Sequence, residues 1–231
     1  MDTNSNQARR VVIGITAHVD AGKTTLAEAM LYRTGRLRKL GRVDHGSAAM
    51  DSHLLERERG ITIFSSQAEL PIGDLEVTLL DTPGHVDFSA EMERTLSVLD
   101  YAILVISGAD GVQAHTRTLW RLLELYRIPT FLFVTKMDFG RCGRGQMMEH
   151  LRHELGEGCV DFTPADRERR MEQLATCRED ALEAYLDGGE VPDALVRQLV
   201  GRRLVFPCWF GSGLKLEGID EFLEGLARYV E

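Results

Sequence analysis

At 231 residues the chain has room for one large α/β domain or two small ones. A hydrophobic share of 44% supports a packed core, yet no stretch approaches the ~20 apolar residues that span a bilayer. A net charge of −9 argues against indiscriminate wrapping of nucleic acid, and the polar start Met1–Ala8 holds no apolar signal core and reads as a frayed leader.

The first apolar run, Val11–Ile15, reads as a strand, and Leu26–Tyr32 reads as a helix. Between them lies Ala17-His18-Val19-Asp20-Ala21-Gly22-Lys23-Thr24-Thr25. Strand, tight loop and helix form the setting of a phosphate-binding loop. Backbone amides of the loop and the first helical turn converge on an anion, and the helix dipole adds positive potential. Gly22 lets the backbone wrap closely, Lys23 neutralises the β- and γ-phosphates, and the Thr24 hydroxyl ligates Mg²⁺. The plainer reading makes Lys23 a solvated helix residue. It fits poorly, because a cation at a helix N-terminus opposes the dipole unless an anion sits there. Ala17 stands where glycine is usual in such loops.

Residues 33–60 read as a long polar loop, either functional or mobile. Arg33, Arg36, Arg38, Lys39 and Arg42 crowd into its start, either as a solvated loop or as a surface facing phosphates of nucleotide or RNA. Residues 1–60 carry 10 basic and 7 acidic side chains, whereas residues 61–231 carry 17 and 29.

Ile61–Phe64 begins a strand that continues with period two through Ser66, Ala68 and Leu70. Pro71–Asp74 reads as a turn and Glu76–Leu80 as the returning strand of an antiparallel hairpin. That strand runs into Asp81-Thr82-Pro83-Gly84-His85, followed by a helix with Phe88, Met92, Leu96 and Leu99 on one face. Tyr101–Ile106 reads as a buried parallel strand, Thr116–Tyr126 as a helix, and Thr130–Val134 as the next strand, ending at Thr135-Lys136-Met137-Asp138.

Residues 139–204 read as an inserted, charged, helix-rich section, with its clearest helices over Arg167–Leu186 and Asp193–Leu204. Asp187-Gly188-Gly189 ends the first of these and Pro192 opens the second. Val205–Phe210 reads as the last strand, then Gly211-Ser212-Gly213, then a helix over Ile219–Val230. Strands alternating with helices give an α/β fold, mainly parallel, with helices on both faces. Cys142, Cys159, Cys177 and Cys208 form no C-x-x-C pair and read as reduced thiols. His150 and His153, at i and i+3, read as a solvated helix face rather than a metal pair.

Asp81-Thr82-Pro83-Gly84 by itself is a plausible turn. Downstream of a phosphate loop, at a strand's carboxyl end, Asp81 reaches the Mg²⁺ sphere and Gly84 offers an amide to a γ-phosphate. Asp138 ends another strand, and its carboxylate accepts two hydrogen bonds from the N1–H and N2–H₂ edge of guanine, with the Lys136 stem along the base. Ser212 and Gly213 stand where a backbone amide turns toward the guanine oxygen. Thr62 is placed to complete the Mg²⁺ sphere beside a γ-phosphate. His85, one residue past Gly84, is within reach of an attacking water.

Together these pieces resemble the G domain of a translational GTPase of the elongation factor G class, over about Arg10 to Val230. The motifs Ala17–Thr25, Arg59–Ile63, Asp81–Phe88 and Lys136–Asp138 carry the resemblance. Leu54–Ile63, Leu96–Asp100 and Asp110–Arg117 are most similar to the tetracycline-resistance ribosomal protection proteins. The resemblance implies a P-loop NTPase G domain over 1–231, with one antiparallel edge hairpin and a small helical insert at about 139–204; the domains that follow the G domain in that family are absent here, so the chain reads as an isolated domain. It implies GTP or GDP with Mg²⁺ held by Thr24, Thr62 and Asp81, and a monovalent cation near Asp20. Hydrolysis would rest on His85, Lys23 and Thr62, with Val19 and Ile61 gating His85. The implied partner is the ribosome, its RNA and proteins, met through the switch face by a cytoplasmic monomer with no membrane contact. Thr135 stands where Asn is usual, which implies loss of an amide tie to the phosphate loop. Ser212-Gly213-Leu214 stands where Ser-Ala is usual, which implies a looser guanine pocket. The alternatives are an elongation factor G-like translocase, a GTP-gated binding module with negligible turnover, and a GTPase unrelated to translation.

Overall fold

The computed structural model describes residues 9–38, 66–82, 89–139, 142–163 and 167–231. Its seven strands are β1 (Arg9–Ala17), β2 (Ser66–Ile72), β3 (Leu75–Asp81), β4 (Tyr101–Ser107), β5 (Thr130–Thr135), β6 (Cys159–Asp161) and β7 (Phe206–Phe210). They form one sheet in the order β2-β3-β1-β4-β5-β7-β6, parallel throughout except for the β2–β3 pair. The described helices are α1 (Lys23–Arg33), α2 (Ser89–Leu96), α3 (Ala114–Leu125), α4 (Arg144–Leu155), α5 (Arg167–Thr176), α6 (Glu179–Gly188), α7 (Asp193–Gly201) and α8 (Ile219–Tyr229).

The strands β4, β5 and β7 are buried at every position because both sheet faces are covered. Ile103, Val105, Phe131, Phe133 and Trp209 point to one core, with α1 and α5 to α8. Ala102, Leu104, Leu132, Val134 and Cys208 point to the other, with α2, α3 and α4. The edge strand β2 has one covered face only. Leu70 is buried while Gln67 and Glu69 are exposed, which is the period of two visible in its sequence.

The helices on opposite faces part company at two places. From α1 and the β2–β3 hairpin the chain passes over β1 to reach β4 by way of α2, so the faces diverge above β1. From β5 it passes over β7 to the edge strand β6 by way of α4, then returns to β7 through α5, α6 and α7. Each reversal leaves a crevice at the carboxyl ends of the strands, where doubly wound sheets bind ligands.

Several boundaries differ from the sequence reading. Pro71 and Ile72 belong to β2, and only Gly73 and Asp74 turn. Proline is tolerated there because β2 is an edge strand. The section 139–204 is helix-rich, and within it the short strand β6, which the sequence reading did not place, extends the sheet. The span Arg167–Leu186 is two helices, broken at Cys177 and Arg178, where Arg178 is extended (φ −164°) and the acidic pair Glu179-Asp180 starts α6. The break lets α5 and α6 fold back on each other and bury Leu174 and Ala181 in one core. Phe88 and Ile61–Phe64, read as helix and strand, lie outside the described residues, as does most of the loop over 33–60.

Gly225, inside α8, faces the buried Trp209 ring, which is wedged among Phe131, Phe162 and Phe222. A methyl at residue 225 would overlap that ring. Gly→Ala within a helix ordinarily gains about 1 kcal/mol. Overpacking a rigid core costs about 1–3 kcal/mol. Gly225→Ala should therefore unfold at lower denaturant concentration than the wild type. An equal or higher midpoint would show that Trp209 repacks freely.

Candidate functional site

The crevice above β1 holds the phosphate-loop sequence. The loop closes with the Ala21 amide donating to the His18 carbonyl at 3.1 Å. Asp20 (φ 60°) and Gly22 (φ 92°) adopt left-handed conformations, and the turn into α1 depends on them. The first helical bond runs from the Leu26 amide to the Gly22 carbonyl, 2.9 Å. The amides of Lys23, Thr24 and Thr25 therefore have no acceptor within α1, and Gly22 has no side chain to cap them. Three amides at the positive end of a helix dipole make an anion cradle. Ala17 is packed in the core, where its methyl fits in place of glycine.

Lys23 is buried, which is unusual for a lysine. Its Nζ lies 2.6 Å from Asp81 Oδ1 at the end of β3, and it donates to the Thr82 carbonyl. Thr82 in turn donates its amide (3.1 Å) and its hydroxyl (2.8 Å) to the Ile15 carbonyl of β1. The end of β3 is thereby fixed against the strand that feeds the loop. Thr24 follows Lys23 in the first turn of α1. A fully buried carboxylate and a threonine hydroxyl fit Mg²⁺, a hard cation that takes oxygen ligands.

The loop after β5 grips the same phosphate loop from the other side. Thr135 Oγ1 donates to the Ala21 carbonyl at 2.5 Å and also lies 3.3 Å from the Ile106 carbonyl. The threonine therefore makes a tie to the phosphate loop itself, and the expected loss is corrected: a hydroxyl suffices where the two backbones run this close. Lys136, left-handed at φ 55°, donates Nζ to the Asp20 carbonyl at 2.6 Å. Asp138 pairs with Lys215 at 2.9 Å, and that ammonium holds the Asp138 carboxyl below its usual range. The sequence reading missed Lys215, a lone cation in the glycine-rich turn after β7. The Ser212 amide donates to Glu217 (3.0 Å), and a Cβ on Gly213 would lie 3.1 Å from the Thr25 carbonyl. Glycine at residue 213 thus brings this turn close to the start of α1.

Other residues are placed as follows. Val19 and His18 are half-buried, and the His18 ring lies 5.9 Å from that of His115 in the first turn of α3. His153 is exposed, as expected, but His150 accepts the Val112 amide at 3.1 Å and holds the turn before α3. Among the described residues no cluster of His, Cys, Asp and Glu forms a metal centre, and the four cysteines are unbonded. Thr62, Ile61, Pro83, Gly84 and His85 lie outside the described residues.

A family model for the elongation factor Tu GTP binding domain matches residues 8–231. The oxytetracycline resistance protein of Streptomyces rimosus is 41% identical over 93% of this chain and 36% of its own length. The tetracycline resistance protein TetM of Streptomyces lividans is 40% identical over 94% of this chain and 37% of its own. The chain thus spans little more than a third of these relatives. A crystal structure of a Thermus thermophilus protein superposes with a TM-score of 0.86 at 28% identity, covering 97% of this chain and 40% of that one.

Thr135→Val removes a buried donor and leaves the Ala21 carbonyl without it, a loss worth about 1–3 kcal/mol. Chemical denaturation should show that loss, and calorimetry should show weaker GDP binding. Thr135→Asn should recover much of both. Wild-type behaviour in Thr135→Val would show that the hydroxyl does not tie the two loops.

Proposed function

The chain belongs to the elongation factor Tu GTP-binding domain family, and from that premise we propose that it is the GTP-hydrolysing part of a ribosome-acting factor of the ribosomal protection type. One observation carries the nucleotide site: Lys23 at the start of α1 meets Asp81 and Thr82 at the first crevice, while Thr135 and Lys136 clamp the same loop from β5 and Asp138 follows them in that segment.

The α1 amides and Lys23 hold the β- and γ-phosphates. Thr24 and Asp81 would supply oxygen ligands to Mg²⁺, and the ion would neutralise phosphate charge. Asp138 accepts the N1–H and N2–H₂ donors of guanine, and Lys215 must share or yield the carboxylate when the base arrives. Lys136 spans from the base side to Asp20 and stiffens the loop. A monovalent cation at Asp20 would compete with that ammonium for the carbonyl. Thr62 senses the γ-phosphate, and His85 orients the attacking water once Val19 and Ile61 release it on the ribosome. Ser212 and Gly213 shape the far wall of the base site. The domain works as a cytoplasmic monomer. Among the described residues no helix is long and apolar enough to cross a membrane.

Asp138→Asn tests the base assignment. A site built on paired hydrogen bonds discriminates by about 10⁴-fold. The variant should lose GTP and gain xanthosine triphosphate, read as nucleotide binding and phosphate release. Equal affinity of the wild type for ATP and GTP would overturn the guanine reading.

A further inference from the structure

The second crevice, at the carboxyl end of the edge strand β6, holds a pocket of about 110 Å³ between the first turn of α4 and the helix α5. It has room for roughly three to four water molecules by liquid volume. From the geometry we infer that this pocket binds a phosphate-type oxyanion, either the free ion or the terminal phosphate of a larger molecule.

Among the described residues the charge of the lining is one-sided: Arg144, Arg152, Arg169 and Arg170 line the pocket with one carboxylate, Asp161. That carboxylate is already engaged, with Oδ2 on Arg144 at 3.0 Å and Oδ1 accepting the Thr163 amide at 2.9 Å. Arg152 spends its Nε on the Cys159 carbonyl (3.1 Å). Arg170 lays its guanidinium 5.4 Å from the Phe162 ring centre and gives one terminal nitrogen to the Phe162 carbonyl. Both guanidiniums are held in place by one edge.

Polar atoms at the same pocket are buried without partners. They are Arg170 Nε, Thr163 Oγ1 and Gln173 Oε1. A buried polar atom left unpaired costs about 1–3 kcal/mol, so three beside one cavity call for an occupant. An oxyanion satisfies all three. The arginine N–H and the threonine O–H donate once small side-chain rotations open them to the cavity. The glutamine does so once its amide turns over, since its oxygen and nitrogen ends exchange by a half rotation.

The backbone adds to this. Gly145 lies in the first turn of the twelve-residue α4, whose leading amides face out of the helix, and a Cβ there would meet nothing within 4 Å. Planar guanidiniums and a helix N-terminus are the groups that recognise phosphate. The position repeats the logic of the phosphate loop: helices from opposite faces part at a strand's carboxyl end, and an anion fills the gap.

Inorganic phosphate is titrated calorimetrically into the chain with saturating GDP and Mg²⁺ filling the first crevice. One saturable site is expected. The double substitution Arg144→Gln and Arg169→Gln removes two of the guanidiniums and should weaken that site about tenfold or more. Thr163→Val, which conserves shape, should weaken it several-fold with the circular dichroism and GDP affinity of the wild type. Phenyl phosphate competing for the site identifies a terminal phosphate as the group accepted. Its exclusion, with phosphate still bound, identifies the free ion. A site unaffected by all of these substitutions overturns the inference, as does the absence of saturable binding below about 0.1 M, which marks a pocket filled by water alone.

Discussion

The buried ammonium of Lys23 is the contact on which the rest of the site depends. A lysine at the start of a helix faces the positive end of the dipole, and burial removes the water that would offset this. The chain supplies its own anion, Asp81, at 2.6 Å, and adds the Thr82 carbonyl as a second acceptor. These partners belong to β3, the strand beside β1, so β1, its loop, α1 and the end of β3 are locked into one unit. A buried pair of this kind is weak evidence for stability, since a hydrophobic replacement often does as well. Its retention at the first crevice fits a role in binding. On the proposed reading the ammonium would meet a phosphate, and the carboxylate would serve as an oxygen ligand to Mg²⁺.

The loop is gripped from two directions. Thr82 fixes the β3 side through the Ile15 carbonyl, and Thr135 and Lys136 fix the β5 side through the carbonyls of Ala21 and Asp20. Each grip spends a side-chain donor on a backbone acceptor of β1 or its loop. The amides of the first turn of α1 remain unspent. This division of labour leaves a preorganised cradle whose donors all aim outward.

Much of this was legible in the sequence. The β1–loop–α1 unit has a strand-like apolar run, glycine at the turn and a good helix former in the fixed order, and β4 and β5 carry unbroken apolar runs over Tyr101–Ile106 and Phe131–Val134. The edge hairpin alternates. What escaped has physical reasons. β6 is three residues long and sits inside a charged section, too short for any period to show. The break between α5 and α6 carries neither glycine nor proline, and the fold-back is decided by burial of Leu174 and Ala181. The tie from Thr135 depends on how closely two backbones approach, which no spacing reveals. Lys215 meets Asp138 only because β7 lies beside β5. The arginines of the second pocket are scattered over residues 144 to 170, and only the sheet order brings them together.

The most direct test of the account compares Lys23→Met with the double substitution Lys23→Met and Asp81→Asn, measuring unfolding and GDP affinity on each. Lys23→Met alone leaves a buried carboxylate unpaired and should cost about 3–5 kcal/mol of stability. Removing the carboxylate's charge as well should restore much of that stability. GDP affinity should stay at least about tenfold weaker than wild type in both, because the lost contact is to the phosphates. Recovery of wild-type GDP affinity together with stability in the double substitution would contradict the account and make the Lys23–Asp81 pair a structural contact alone.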